Sequence, residues 1–402
     1  MSPADRLFAE MASVAERCAG CEALYLVGGA VRDHLLGSSP ESLRDLDFVV
    51  VGDAVDFTAE LVRHCGGEMS SHERFFTATW TSPLWARPVD IVTARREAYL
   101  RPGELPVVEK GTLEDDLRRR DFTINSMAAA LWPGERWQLA DPLGCLADLQ
   151  DAVLKIHHPG SFSDDPTRIL RLARFAVRLS LRPHEDTRAA LEAALAERAL
   201  GTVSGDRLWA EWELLCREPQ PAAAVVWMDA NGLCDALAIS AAGAGAAVME
   251  RGLLARAEGR PWDALQALAS LLLGAETGDC ADRFGLEGAQ AGRLATLAAL
   301  PQRLSGALER CAADDELEAL LGTTDVTQRA FLVAASPATF AAVERYEGQV
   351  LSLPPLLRGE DLLAAGLAQG PALGEALHRV RAAQLRGEVG SPAEALQLLG
   401  LG

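Results

Sequence analysis

The stretch RDLDFVVV (residues 44–51) places two acidic side chains directly before a run of apolar, mostly β-branched residues. The run predicts a buried strand, and residues two apart on a strand point to the same face, about 6.5–7 Å from each other. Asp45 and Asp47 could therefore hold one divalent cation between them and share a second, as in metal-assisted phosphoryl transfer. An exposed strand edge with two surface acids would show the same pattern, so the pair does not decide the matter alone.

The segment before this pair, LVGGAVRD (residues 26–33), predicts a strand that runs into two glycines and then into a helix. Gly28 and Gly29 let the backbone approach a triphosphate closely, and the N–H groups at the helix start face it. Arg32, one turn further on, can reach a phosphate or an aspartate. A plain strand–helix turn would explain the glycines alone, but not the glycines followed by the acidic pair.

Further short elements surround these segments in the first 140 residues. The strand before the two glycines is the apolar run Leu24–Val27, a further apolar run at Val89–Thr93 predicts a third strand, and Ala54–His64 has the periodicity of a helix. Asp90 lies on the third strand, where it could supply a third carboxylate to the acidic pair. From about residue 160 onward, helical spacing is nearly continuous.

These segments resemble the class II tRNA nucleotidyltransferase and bacterial poly(A) polymerase family, part of the polymerase-β-like superfamily. GGAVRDHLLG (28–37) with RDLDFVVVG (44–52) is similar to its first motif, RRDFTIN (119–125) to its ribose-contacting motif, and DPLGCLADL (141–149) to its hinge. The resemblance implies that Asp45 and Asp47 are catalytic metal ligands, and Asp90, from its place on the neighbouring predicted strand, is the candidate for a third catalytic carboxylate. It also implies a nucleotide-binding set in these motifs: Gly28, Gly29, Arg32, Arg120, Asp121 and Asn125.

A later segment, FSDDPTRILRLARF (162–175), predicts a helix that an aspartate caps and that has a proline in its first turn. Asp165 and Arg168 are three residues apart and so share a face. A carboxylate beside a guanidinium can pair with the Watson–Crick edge of a base, although a capped helix with a solvated arginine face would look the same. In the family, a similar EDxxR motif reads the incoming base. The resemblance therefore assigns base selection to Asp165 and Arg168, with Arg171 and Arg174 beside them as nucleotide-binding residues.

Composition restricts the class of protein. The chain has 402 residues, which is too many for one ordinary core. Its net charge of −19 argues against a surface that coats nucleic acid uniformly with positive charge. No apolar run reaches the roughly 18 residues of a membrane span, and the N-terminus lacks the layout of a signal peptide. We therefore expect a cytoplasmic, monomeric protein that does not contact a membrane.

The predicted fold class is α+β. A polymerase-β-like head with a small mixed sheet and helices (residues 1–139) precedes an all-α remainder. The remainder divides into a neck with the nucleotide-selecting template (140–212), a body (213–320) and a tRNA-binding tail (321–402).

The resemblance implies a two-metal reaction that uses two Mg²⁺ ions, with ATP and CTP as substrates and tRNA as partner. A loop at residues 95–106 resembles the flexible loop that helps such sites use ATP, although it could be a surface loop without that role. The chain ends without the basic extension typical of the poly(A) polymerases, which favours tRNA. Full CCA addition and addition of the terminal A remain open. The alternatives are a poly(A) polymerase, a non-catalytic RNA- or nucleotide-binding protein on a decayed head, and a transferase that acts on small molecules.

Overall fold

The computed structural model describes residues 2–43, 45–240 and 242–401. The chain forms two compact units. The first contains residues up to Glu211 together with Glu218–Gln220, and the second contains Trp212–Arg217 and the residues from Pro221 onward. Every site residue predicted from the sequence belongs to the first unit.

The strands all lie in the first unit. They are β1 (Cys21–Val27), β2 (Asp47–Gly52), β3 (Glu68–His72), β4 (Thr77–Thr81), β5 (Val89–Thr93), β6 (Arg95–Ala98), β7 (Val107–Lys110), β8 (Ala128–Trp132), β9 (Leu139–Ala140), β10 (Val153–Leu154) and β11 (Arg182–Pro183). Seven of them form a mixed sheet in the order β3-β4-β5-β2-β1-β8-β9. The strand β2 pairs antiparallel with β1 and parallel with β5, which puts the start of β2 next to the start of β5.

Burial explains why β2 lies at the centre of this sheet. Phe48, Val49 and Val50 are all fully buried, so both faces of the strand are covered. Consecutive β-branched residues suit such a position because they pack well on a pleated, buried surface. Asp47 is the one acidic residue of β2, and it stands at the end where the strand begins.

Helices cover this sheet and continue beyond it. In the first unit they are α1 (Pro3–Arg17), α2 (Gly29–Leu35), α3 (Ala54–Cys65), α4 (Leu113–Arg118), α5 (Leu146–Gln150), α6 (Ser161–Asp164), α7 (Thr167–Arg178) and α8 (Glu185–Ala196), while α9 (Gly205–Cys216) begins in the first unit and ends in the second. Local sequence sets several of their ends. Asp53 caps α3 by accepting from the N–H groups of Val55 and Asp56, and α3 ends at Gly66, whose φ is 78°.

Helices are the regular elements of the second unit's described residues. Its helices are α10 (Pro221–Ala230), α11 (Leu233–Ala236), α12 (Ala242–Ala257), α13 (Ala264–Ser270), α14 (Gly278–Arg283), α15 (Gly288–Leu308), α16 (Asp314–Leu321), α17 (Val326–Ala335), α18 (Phe340–Arg345), α19 (Gly359–Ala364), α20 (Pro371–Leu385) and α21 (Pro392–Leu398). One apolar cluster joins residues of α15–α18, among them Leu317, Leu332 and Val343. A separate one joins α19, α20 and α21 through Leu362, Val380 and Ala395.

The predicted α+β fold is confirmed, with a mixed sheet in the head and a helical remainder. The division of the remainder into neck, body and tail stays a prediction. Residues 95–106, expected as a loop, begin as β6 of a hairpin with β7, and only residues 99–106 connect the two strands. Among the described helices, none is both long and apolar enough to cross a bilayer.

Candidate active site

The sheet brings two of the predicted carboxylates side by side. Asp47, the first residue of β2, is the parallel-register partner of Asp90 in β5. On the next strand, Thr79 Oγ1 donates to Asp90 Oδ1 at 2.8 Å. Asp45 lies in the connection before β2 rather than on the strand, and its side chain is 90% exposed, 3.5 Å from Arg87 Nη1. The three carboxylates therefore share one end of the sheet, with Asp45 the freest to move.

Electrostatics at this end favour a bound cation. Burial raises the pKa of Asp47, and the negative charges of Asp90 and Asp45 raise it further, while Arg120 opposes them. A divalent cation would neutralise carboxylates that otherwise repel one another. Carboxylate oxygens are also the ligands that Mg²⁺ prefers in proteins. The residues present thus fit the metal that the family resemblance implies.

The glycine turn between β1 and α2 lies against the same carboxylates. Gly28 has φ 73°, and a Cβ at this position would stand 2.9 Å from Arg120 Nη1 and 3.6 Å from Asp47 Oδ2. A larger residue would be strained and would push Arg120 away. Gly29 lies against the next predicted residue, because a Cβ there would be 3.3 Å from Arg32 Nη2. The turn therefore brings backbone, the guanidinium of Arg120 and the carboxylate of Asp47 together.

A buried carboxylate that sequence reasoning missed holds Arg120 in place. Asp116 of α4 accepts from Arg120 Nη2 at 3.0 Å on Oδ2, and from Arg119 Nε and Nη2 at 2.9 and 2.7 Å on Oδ1. It precedes the two arginines by three and four residues, which is the spacing of side chains that meet on a helix. That spacing could have identified Asp116 from the sequence.

A chain of polar contacts joins α2 to the template helix α7. Arg32, only 2% exposed, donates through Nη1 to Asn125 Oδ1 at 2.5 Å. Asn125 Nδ2 in turn donates to Asp121 Oδ1 at 3.0 Å. The other oxygen of Asp121 is 2.6 Å from Arg171 Nη2 on α7. These four predicted nucleotide-binding residues form one network. Arg171 has the most exposed side chain of the four, at 38%.

The two predicted base-reading residues make contacts of their own at the start of α7. Asp165 Oδ1 accepts from Thr167 N and Oγ1 and from Arg207 Nη2. Arg168 is buried, and it donates to Ser161 Oγ at 2.7 Å and to the backbone oxygen of Arg119 at 2.8 Å. Both side chains are thus fixed by protein groups before any base arrives.

Arg174 is the predicted residue that the structure directs elsewhere. Its guanidinium pairs with Glu211 at 2.8 Å and Glu218 at 3.0 Å, and its side chain is 11% exposed. Arg174 thus connects α7 to α9 through Glu211, and also to Glu218, which follows α9. Neither glutamate was singled out from the sequence, since each lies more than 35 positions away from Arg174.

Comparisons with known proteins agree with this geometry. A family model described as the poly A polymerase head domain matches residues 24–155. The A-adding tRNA nucleotidyltransferase of Halalkalibacterium halodurans is 33% identical over 378 residues, which cover 93% of this chain and 87% of that protein. The CC-adding tRNA nucleotidyltransferase of Deinococcus radiodurans is 34% identical over 396 residues, which cover 98% of this chain and 92% of that protein.

Solved structures extend the similarity to the fold. A CCA-adding enzyme in complex with ATP superimposes with a TM-score of 0.81 at 26% identity, over 99% of this chain and 95% of that one. This likeness identifies the fold as that of a nucleotidyltransferase. The similarity along nearly the whole chain shows further that it belongs to the class II tRNA nucleotidyltransferase family. The predicted family, fold class and kind of enzyme are confirmed.

Proposed function

We propose that this protein adds nucleotides from CTP and ATP to the 3′ end of tRNA. The 3′-hydroxyl attacks the α-phosphorus of the nucleotide, a new phosphodiester bond forms, and pyrophosphate leaves. The observation that carries this proposal is the register pair of Asp47 and Asp90, with Gly28 and Arg120 against it. The names of the two relatives indicate that the polynucleotide is tRNA, since both are tRNA nucleotidyltransferases.

Asp45, Asp47 and Asp90 would hold the two Mg²⁺ ions. When bound, these ions supply a lowered pKa for the attacking hydroxyl and neutralise charge on the departing pyrophosphate. The protein contributes position and fixed charge. Arg120 lies beside the glycine turn, where it can contact a phosphate that the backbone of Gly28 admits.

The nucleotide is bound and selected by residues between α2 and α7. Arg32, Asp121, Asn125 and Arg171 form the connected network described above, and a triphosphate or ribose can contact its exposed member. Asp165 and Arg168 pair with the Watson–Crick edge of the base. Because protein contacts already orient both side chains, little conformational freedom is lost when the base binds.

ATP is among the substrates. Support comes from the hairpin of β6 and β7, whose connection at residues 99–106 contacts the template, and from the A-adding relative. A second candidate is addition of CC alone. The CC-adding relative favours it, because its match covers 98% of this chain. The protein acts as a cytoplasmic monomer, and residues 321–402 serve as its tRNA-binding tail.

Two tRNA transcripts test this proposal, one that lacks CCA and one that ends in CC. Each is incubated with Mg²⁺ and CTP, ATP or both, and the products are sized. Growth of the bare transcript by three nucleotides establishes CCA addition, and growth by one A only on the transcript that ends in CC establishes A addition. Growth by two C residues without use of ATP would favour the second candidate. Absence of any growth would contradict the proposal.

A further inference from the structure

One arginine outside the predicted site contacts both the hairpin connection and the template. Arg207, in the first turn of α9, donates from Nη1 to the backbone oxygen of Gly103 at 2.8 Å. Its other terminal nitrogen, Nη2, donates to Asp165 Oδ1, also at 2.8 Å. The planar guanidinium holds these two donors in a fixed geometry, so the positions of its two acceptors are coupled. The side chain is 31% exposed, which leaves it partly accessible to solvent.

The contact with Asp165 fixes the orientation of a carboxylate. Three donors converge on Oδ1 of Asp165: the N–H of Thr167 at 3.1 Å, its hydroxyl at 2.7 Å, and Arg207. Only the bond from Arg207 joins two opposite charges, because the other two donors are neutral. Removal of Arg207 would leave the carboxylate held on one side only, by its own helix start.

The contact with Gly103 depends on a docked hairpin connection. The N–H of Gly103 donates to the backbone oxygen of Asp164 at 3.3 Å. Gly103 has φ 74°, and a Cβ there would stand 2.3 Å from Thr202 Oγ1 and 2.8 Å from the backbone oxygen of the same residue. Only glycine fits this place, because a side chain would collide with backbone as well as adopt a strained conformation.

The helix that carries Arg207 is itself attached to α7. Glu211, four residues further along α9 and therefore on the same face, pairs with Arg174 at 2.8 Å. Two charged contacts of opposite polarity thus join α9 to α7, one at the start of α7 and one in its second half. Arg207 therefore projects from an element whose position relative to the template is fixed.

We propose that Arg207 is a specificity-determining positioning residue that couples docking of residues 99–106 to the orientation of Asp165. The inference rests on the proposed function, in which Asp165 reads the base. While Gly103 is docked, Arg207 is held between two acceptors and keeps the carboxylate in one orientation. When the connection lifts away, Arg207 loses its carbonyl acceptor, and the carboxylate loses its fixed donor. Base choice then depends on whether the connection is docked.

The test measures base selectivity in two variants that break the link at different ends. Arg207→Met removes both hydrogen bonds but keeps an apolar stem, and Gly103→Ala undocks the connection without removing any charged group. Each is assayed on a tRNA transcript with the cognate nucleotide and with UTP and GTP. We expect the ratio of kcat/KM for cognate over non-cognate nucleotide to fall at least about tenfold in both. The double variant should lose no more than the larger single loss, since both changes break one link.

Arg217→Met is the matched control, because Arg217 directly follows α9, is exposed, and pairs only with Glu213 among the ion pairs of the described residues. It should keep the wild-type ratio. Thermal unfolding shows that each variant is folded, and if Arg207→Met is not, Gly103→Ala carries the test. A wild-type ratio in folded Arg207→Met or in Gly103→Ala would overturn the inference. Failure of the wild-type protein to extend any transcript would instead overturn the proposed function.

Discussion

Asp116 is fully buried in α4, and both of its oxygens accept hydrogen bonds from arginines. Burial alone would raise the pKa of this carboxyl group, but Arg119 and Arg120 lower it below its ordinary value. Since Arg120 also lies beside Gly28 and Asp47, the buried charge of Asp116 keeps the Arg120 guanidinium at the end of the sheet where the three carboxylates lie. We therefore expect Asp116 to act on the proposed reaction only indirectly, through the position of Arg120.

Replacement of Asp116 by Asn should destabilise the head strongly. The change keeps the shape of the side chain but leaves two largely buried guanidinium groups without their counter-charge. Loss of one partner from a buried ion pair typically costs about 3–5 kcal/mol. Urea unfolding monitored by far-UV circular dichroism would measure the loss, with the exposed-site variant Glu60→Ala as control. A change below about 1 kcal/mol would show that Asp116 does not compensate the arginines.

The same carboxylate predicts a pH dependence with a definite sign. Because the pKa of Asp116 is lower in the folded protein, its stabilising contribution is complete above the unfolded value of about 4 and is lost as the pH falls through the folded value. The difference in unfolding free energy between wild type and Asp116→Asn should therefore be constant from pH 5 to 8. It should shrink below about pH 4. Unfolding curves at pH 7, 5 and 3 would check this, and a difference that grows on acidification would contradict it.

Asp47 carries the prediction that concerns catalysis directly. Asp47→Ala removes the carboxylate that adjoins both Asp90 and the glycine turn, so nucleotide transfer should fall at least about a hundredfold. The fold should remain intact, because the change removes a negative charge from a place where like charges repel. Rates of single-nucleotide addition and the thermal unfolding midpoint would be measured together. Substantial turnover by the variant would show that Asp47 is not a metal ligand.

At the scale of elements, the hairpin of β6 and β7 allows a clean excision. Ala98 and Val107 are the last register pair of the hairpin, so an Asn-Gly turn can replace residues 99–106 without a shift of register. We expect incorporation from ATP to fall at least about tenfold relative to CTP, because we propose that residues 99–106 help the site to use ATP. Incorporation assays with each nucleotide would measure the ratio. Equal losses with both nucleotides would mean that the connection has no part in base choice.

Local patterns predicted some elements well and could not predict others. The strands β1, β2 and β5 and the helix α3 were expected close to their observed bounds, because their apolar residues follow the period of the element. The strand β3 was not predicted from the sequence, because most of its residues are exposed. The strand β6 begins with three charged residues in a row, Arg95, Arg96 and Glu97, so no apolar signal marks it as a strand. The pairing of β2 with β5 depends on contacts between residues 43 positions apart, which no local pattern specifies.

The site shows the same limit. Its motifs predicted the carboxylates, the glycines and the proposed base-reading pair, Asp165 and Arg168. The partners that fix these residues were harder to find. Arg207 and Asp165 are 42 positions apart, and Glu211 and Arg174 are 37 apart, so only the folded chain shows these contacts. Asp116 could have been predicted from the sequence, because helical spacing alone relates it to Arg119 and Arg120.

At the scale of the whole molecule, buried cysteine thiols in both units can show whether each unit stays folded. Burial raises the pKa of Cys21, Cys145, Cys234 and Cys280 to about 12, and the thiolate is the reactive form. In the native protein at pH 8, iodoacetamide should leave these four unmodified, whereas all eight cysteines should react in denaturant. Peptide mapping by mass spectrometry would identify the modified sites. Rapid native modification of Cys145 would indicate that the first unit opens readily.

The contacts of α9 with the template have a consequence for synthesis on the ribosome. The carboxylate strands are complete once Thr93 has been made, but Asp165 and its partner Arg207 come much later in the chain. At ordinary elongation rates of about 5–20 residues per second, roughly 6–24 s separate Asp90 from Glu211. Throughout that interval the nascent chain carries its acidic cluster without the full set of residues that we propose choose the base. If synthesis stops before Arg207, the released chain would contain the acidic cluster but would lack part of the proposed base-selecting site.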